Sequence, residues 1–170
     1  FIMDFDQRLA NPRERIYLPE VLAEVSKAKT KERKIELLQS FAKKNTESYN
    51  LVRDFVQSTF HPQVVLDLPE SEPPYESVFP DYNLAPNTLS KSFKRIPYFV
   101  KGHSMYIELA PKRERLYIQT LESLFKADAE LFIMVKDKRI DAKKYKGVTE
   151  ALFREAFPGF LPEPVKSPKS

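Results

Sequence analysis

Apolar positions along this chain recur at three- and four-residue spacing in short blocks, each closed by a proline, a glycine or a run of charge. From Pro19 the stretch PEVLAEVSKA sets Val21, Leu22 and Val25 on one face, with proline and Glu20 in the first turn, where helix geometry and dipole favour them. Thr30 then reads as the N-cap of KERKIELLQSFAKK, in which Ile35, Leu38 and Ala42 fall beside Leu37 and Phe41. Thr46 reads as the cap of TESYNLVRDFVQSTF, with Val52, Phe55, Val56 and Thr59 on one side. His61-Pro62 closes that helix, because the residue before proline avoids the helical region. Helical spacing resumes in TLSKSFKRIPYFVKG through Leu89, Phe93 and Ile96, and Gly102 ends it. The stretch from Tyr117 to Pro164 predicts two helices, a basic turn, a third helix and a proline-punctuated stop. Its stripes are Tyr117, Ile118, Leu121, Leu124 and Phe125, then Leu131, Phe132 and Val135, then Val148, Leu152 and Ala156.

The remaining stretches lack periodicity. Residues 1–18, broken by Pro12 and Pro19, predict an arm, either a tail or a segment lying on a neighbouring subunit. Residues 62–87 hold six prolines, and between Asp67 and Asp81 five acids and no base. That pattern predicts a solvated loop draped over the helices, anchored by Val64, Leu66, Tyr75, Phe79 and Tyr82, or an acidic segment that meets a partner. Residues 161–170 read as a tail. The expected architecture is therefore all-α: one helical domain over 19–160, of about six to eight short helices, with a long Pro-rich acidic loop. Only three glycines against 14 prolines, with no Asn-Gly or Asp-Gly pair, disfavours a sheet.

Composition narrows the chemistry. With 170 residues, 42% hydrophobic and 13 of them Phe, the chain can bury a core without staples. The absence of cysteine removes disulfides, thiol catalysis and the common structural zinc sites. No apolar run reaches the ~18 residues that a membrane span needs. The opening FIMDFDQRLANPRER has acids and bases where a signal peptide would be apolar, and its start at Phe1 suggests a processed or trimmed terminus. His61 and His103 stand in unrelated contexts without ligand spacing, so no metal is expected. No GxSxG, phosphate-binding loop or dinucleotide fingerprint occurs, so neither an enzyme nor a bound cofactor is expected.

Charge is distributed unevenly. The formal net charge is +4, yet Lys91–Lys146 alone holds 14 bases and seven acids. The basic turn KDKRIDAKKYKG over 136–147 carries six Lys or Arg against Asp137 and Asp141. Such asymmetry predicts a basic face, with Lys91, Lys94 and Arg95 beside the 88–102 helix as part of it. Tyr98, Tyr106 and Tyr145, adjacent to bases, are candidate contacts to a nucleic acid.

In this order the pieces resemble the N-terminal DNA-binding domain of phage-type ATP-dependent DNA ligases. VLAEVSKAKTKERKIELLQSFAKKN resembles its opening helix pair, and LVRDFVQSTFHPQVVLDL the next helix with its extended exit. TLESLFKADAELFIMVKDKRIDAKKYKGVTEALFREAFPGFLPE is similar to its closing helix, helix, basic turn and helix. The resemblance implies a helical domain that grips duplex DNA across the minor groove through helix starts and bases. Carried over, the phosphate contacts would be Thr30 and Lys31 at one helix start, and Lys138, Arg139, Lys143 and Lys144 in the closing turn. Two departures stand out. Asp141 follows Arg139-Ile140 where the family usually has glycine, and an acid there repels phosphate. The nucleotidyl-transfer Lys-x-Asp-Gly has no counterpart: Lys126-Ala127-Asp128-Ala129 lacks the glycine and is expected mid-helix, so ligation is excluded.

LPESEPPYES, RERLYIQTLESL and EAFPGFLPE also resemble an uncharacterised family of small proteins of large tailed phages, which implies a viral source. Action would then be in the host cytoplasm during infection, or within the virion. Two functions follow as expectations. One is a non-catalytic, largely sequence-independent duplex DNA-binding protein of phage replication, repair or packaging. The other is a virion or protein-interaction component, meeting phage or host proteins through residues 1–18 and 62–87.

Overall fold

Helix starts in this chain are fixed by side chains that accept the first free backbone N–H groups. In the computed structural model, which describes residues 2–164, Asp4 opens α1 (Phe5–Ala10): its Oδ1 accepts from the Gln7 N–H at 2.8 Å, while Gln7 Oε1 accepts from the Asp4 N–H at 2.9 Å. Helix α2 (Leu18–Lys27) has Pro19 in its first turn, and Glu20 Oε1 accepts from the Tyr17 N–H. Thr30 caps α3 (Lys31–Lys44), accepting the Arg33 N–H at 3.1 Å. Helix α4 (Thr46–Phe60) is capped one residue earlier than expected: Asn45, not Thr46, accepts the Ser48 N–H, at 2.7 Å. Thr88 caps α5 (Leu89–Phe93) and Thr149 caps α8 (Glu150–Ala156) in the same manner. Between these lie α6 (Ala110–Glu122) and α7 (Lys126–Asp137).

The single helix expected over 88–102 is divided. Pro97 has no N–H to continue the ladder, so α5 stops and a 3-10 turn, Ile96–Phe99, follows. Among the described residues there are eight α-helices and no strand, so the molecule is all-α. Two isolated bridges, Leu66 with Val100 and Phe79 with Phe125, pin the irregular 61–87 segment to the helices.

Two helices act as hubs: α3 packs on α1, α2, α4 and α8, and α7 packs on α2, α4, α5 and α6. One continuous core fills the space between them, with Phe41, Phe55, Phe99, Phe132, Phe153 and Tyr117 completely or almost completely buried. Phe132 meets both Tyr117 and Phe93, so α7 binds α6 and α5 through one ring. Leu66 is buried and Val64 and Tyr75 pack half-buried against the core, as expected of the Pro-rich loop, whereas Phe79 and Tyr82 are half-buried beside Phe125 at the start of α7.

The segment expected to be an arm lies on its own chain. Asp6 pairs with Arg33 of α3 at 2.7 Å, Arg8 pairs with Glu14 and Glu20, and Leu9 and Ile16 enter the core. Of the expected tail, Leu161 is buried beside Phe160, Pro162–Pro164 are exposed, and residues 165–170 lie outside the described residues.

Candidate functional site

The basic turn begins where α7 ends, and its geometry follows from a missing glycine. Lys138 occupies the left-handed region (φ 56°, ψ 39°), a conformation usually given to glycine at a helix end. The Arg139 N–H reaches back to the Met134 carbonyl at 3.2 Å, which closes the last turn of α7. Lys138 is held there by its side chain. Its Nζ donates to the Ser58, His61 and Val64 carbonyls, the last turn of α4 and the loop beyond it. Burial lowers the Lys138 pKa, with Glu150 opposing. This ammonium is the C-terminal cap of α4, not a free phosphate contact.

The other expected contacts divide in two. Lys31 projects from the start of α3 but pairs with Glu155 of α8 at 2.6 Å, and that partner raises its pKa. Thr30 is exposed, its hydroxyl engaged with the Arg33 N–H. Lys144 pairs with Glu130 of α7, and burial and the neighbouring Lys126 lower its pKa. Arg95 turns inward and donates to Thr120 Oγ1 at 2.7 Å. That leaves Lys91, Lys94, Arg139 and Lys143, which are exposed and have no side-chain partner among the described residues.

Asp141, the departure from the ligase pattern, has a structural task. Its Oδ1 accepts the Lys143 N–H at 2.9 Å and its carbonyl accepts the Tyr145 N–H, so it opens a single helical turn. Tyr145, expected as a contact, is instead buried in the core. Tyr98 is half-buried. Tyr106 donates its hydroxyl to the Asp67 carboxylate, which is the largest cause of the rise in its pKa.

Between α7 and the turn runs a groove of about 950 Å³. Lys126, Arg139, Lys143 and Lys144 line it, and so do Glu72, Glu130, Asp137 and Asp141. Four bases face four acids, so the groove has no electropositive excess for a phosphate backbone.

Two structural cations were not legible in the sequence. Lys136 is nearly buried and clips the Pro-rich loop to α7, donating to the Pro69 carbonyl at 3.0 Å and to Asp137 at 2.9 Å. Arg113, in the first turn of α6, is 7% exposed. Its guanidinium donates to the Asp67 carbonyl at 2.7 Å and the Ile107 carbonyl at 2.8 Å, and stacks over Tyr106. It ties residues 65–68 to residues 106–109, which the spacing of a single chain does not reveal.

The histidines serve turns. His61 Nδ1 accepts the Gln63 N–H and His103 Nδ1 accepts the Met105 N–H, both at 3.1 Å. No three His, Cys, Asp or Glu among the described residues converge to hold a metal. None of the described helices is long and apolar enough to cross a membrane.

Lys126-Ala127-Asp128-Ala129, expected mid-helix, opens α7, and Asp128 is buried. Neither a curated protein nor a solved structure matches the chain, so the ligase-domain likeness rests on the sequence segments alone. A family profile matches residues 21–142, from α2 through the start of the basic turn and well over half of the chain. The chain belongs to that family, which is described as a family of unknown function (DUF6433).

Proposed function

We propose that the chain is a non-catalytic protein-interaction module whose contacts lie on its two long connections, 61–87 and 100–109. The observation that carries this reading is where large apolar side chains stand in water. Val65, Met105 and Leu109 are 52%, 46% and 69% exposed. All three flank the knot that Arg113, Tyr106 and Asp67 tie between the connections. Val78 and Leu84, on the same Pro-rich loop, are 58% and 65% exposed. Single exposed apolar residues are ordinary, but several carried on fastened loops suit contact with a partner. Fastening also lowers the ordering entropy that a loop would lose on binding. A virion component or a host-factor binder is the class of protein this suits.

The second reading, duplex DNA binding, is supported by Lys91, Lys94, Arg139 and Lys143, whose charges have no internal partner among the described residues. It is the weaker of the two because the groove beside Arg139 and Lys143 has as many acids as bases.

Two variants separate the readings. In the first, Val65, Val78, Leu84, Met105 and Leu109 become serine; in the second, Lys91, Lys94, Arg139 and Lys143 become alanine. The interaction reading expects a specific protein partner to be recovered from the source cells by the wild type and the basic-residue variant. The apolar-residue variant should lose that partner while its unfolding midpoint is unchanged. Binding to a labelled duplex, with a steep salt slope and abolished by the basic-residue variant alone, would replace the interaction reading with the DNA one.

A further inference from the structure

A separate cavity of about 260 Å³ lies where the α1–α2 connection, the start of α4, residues 82–90 and the first turn of α7 meet. Asp128 of α7 lines it and is 5% exposed. Its carboxylate has no hydrogen-bond or ion-pair partner among the described residues. The Tyr82 hydroxyl lies beside it and favours its ionised form, but in a geometry that leaves that hydroxyl without a hydrogen bond. One wall is aromatic: Tyr17 stacks on Tyr82 with ring planes 6° apart, and Tyr82 meets Phe125. Arg15 lies over Tyr17, and Glu47, from the first turn of α4, and Ser90 also line the cavity. The titratable groups around Asp128 are therefore Arg15, Tyr17, Glu47 and Tyr82, with Tyr145 from the basic turn.

The occupant's chemistry follows by elimination. An anion would meet Asp128 and Glu47. A neutral apolar molecule would seal in a carboxylate without a hydrogen-bond partner, which is costly. A metal ion would lack ligands, since no three His, Cys, Asp or Glu converge among the described residues. A cation pairs with Asp128 and Glu47, and Arg15 alone is too little to neutralise two carboxylates. The volume falls below that of sites for drug-sized molecules, which leaves room for one short chain.

We propose that this cavity binds an alkyl ammonium or guanidinium group, its charged head on Asp128 and its stem against Tyr17 and Leu51. The head could belong to a free diamine or to a basic side chain of a partner. This site is independent of the interaction reading, and neither depends on the other.

The test is a ¹H–¹⁵N titration of the full chain at about pH 8, where Asp128 is mostly ionised, with 1,4-diaminobutane and with Nα-acetylarginine amide as probes. Saturable shifts are expected on the amides of Tyr17, Tyr82, Thr88, Ser90 and Asp128. Affinity should fall at least about tenfold in Asp128→Asn and about threefold in Glu47→Gln. It should also fall on acidification to about pH 5.5, as the carboxyl takes up its proton. Tighter binding of the diamine assigns a free amine, and tighter binding of the arginine derivative assigns a docked side chain. Absence of saturable shifts at about pH 8, shifts confined to other residues, or an unchanged affinity in Asp128→Asn would overturn the proposal. Should Asp128→Asn fail to fold, the exposed Glu47 decides: equal affinity in Glu47→Gln would overturn it.

Discussion

At the scale of single residues, the chemistry of a side chain was legible but its partner was not. Lys138 read as a surface cation, yet it is a left-handed residue whose ammonium holds the end of α4. Lys138→Ala leaves those carbonyls without a donor and keeps a Cβ at positive φ, so a loss of about 1–3 kcal/mol is expected. Lys138→Gly loses the same donor but relieves the backbone by about 1 kcal/mol. Urea unfolding should rank the wild type first, the glycine variant second and the alanine variant last; an alanine variant as stable as the wild type would refute the cap. Asp128 gives a pH signature. Burial holds it at about 7, above the unfolded value of 3.8, so the fold resists its ionisation. Its contribution is most favourable below the unfolded value and is lost as pH rises to the folded one. Asp128→Asn should therefore match the wild type near pH 4, and exceed it above pH 7 by roughly 2–4 kcal/mol, the amide bringing its own burial cost. A stability difference that does not grow with pH would mean that the carboxylate is solvated.

At the scale of elements, helix starts were the most legible feature and helix ends the least. Thr30, Thr88 and Thr149 cap locally, by a hydroxyl three residues from the N–H it accepts, so the signal sits in a short window. With only three glycines, several helix ends depend instead on side chains from elsewhere in the chain. Lys34 Nζ donates to the Val25 and Ala28 carbonyls at the end of α2, and Lys44 reaches the Arg8, Leu9 and Asn11 carbonyls at the end of α1. Gln39 does the same for Ala156 of α8. The partners in the last case are 117 residues apart, a distance no sequence window spans. The long connections obey the same rule, with Arg113 and Lys136 supplying donors that their backbones cannot find locally. Arg113→Ala should cost about 2–4 kcal/mol, since it strands two carbonyls and releases the Asp67 carboxylate. Its sharper readout is local: faster amide exchange at Asp67 and proteolytic nicking within 62–87, with Arg113→Lys recovering part of the protection. Nicking no faster than in the wild type would show that the Lys136 clip and the bridge of Leu66 with Val100 hold the connection without Arg113.

At the scale of the whole molecule, the charge count misled because it treats every lysine alike. The excess of bases over 91–146 is real, but Lys136, Lys138, Arg95 and Arg113 face inward to carbonyls, carboxylates and a hydroxyl. The cations divide into those that hold helices together and those that only set the field around the molecule, and only the first kind should lower stability on substitution. Replacing Lys91, Lys94, Arg139 and Lys143 by alanine takes the formal net charge from +4 to zero. Each of these residues is exposed without a side-chain partner among the described residues, so each change should alter stability by no more than about 0.5 kcal/mol. Replacing Lys34, Lys44 and Lys138 removes less charge but uncaps three different helices. Those losses should nearly add, to roughly 3–8 kcal/mol, a large part of the ~5–15 kcal/mol that holds a domain of this size folded. Thermal unfolding of both variants at low and high salt tests the division. The exposed set should leave the midpoint nearly unchanged at high salt, and the capping set should lower it steeply at either. Equal destabilisation by the two sets would mean that overall charge, not the capping of helix ends, is what the lysines of this chain provide.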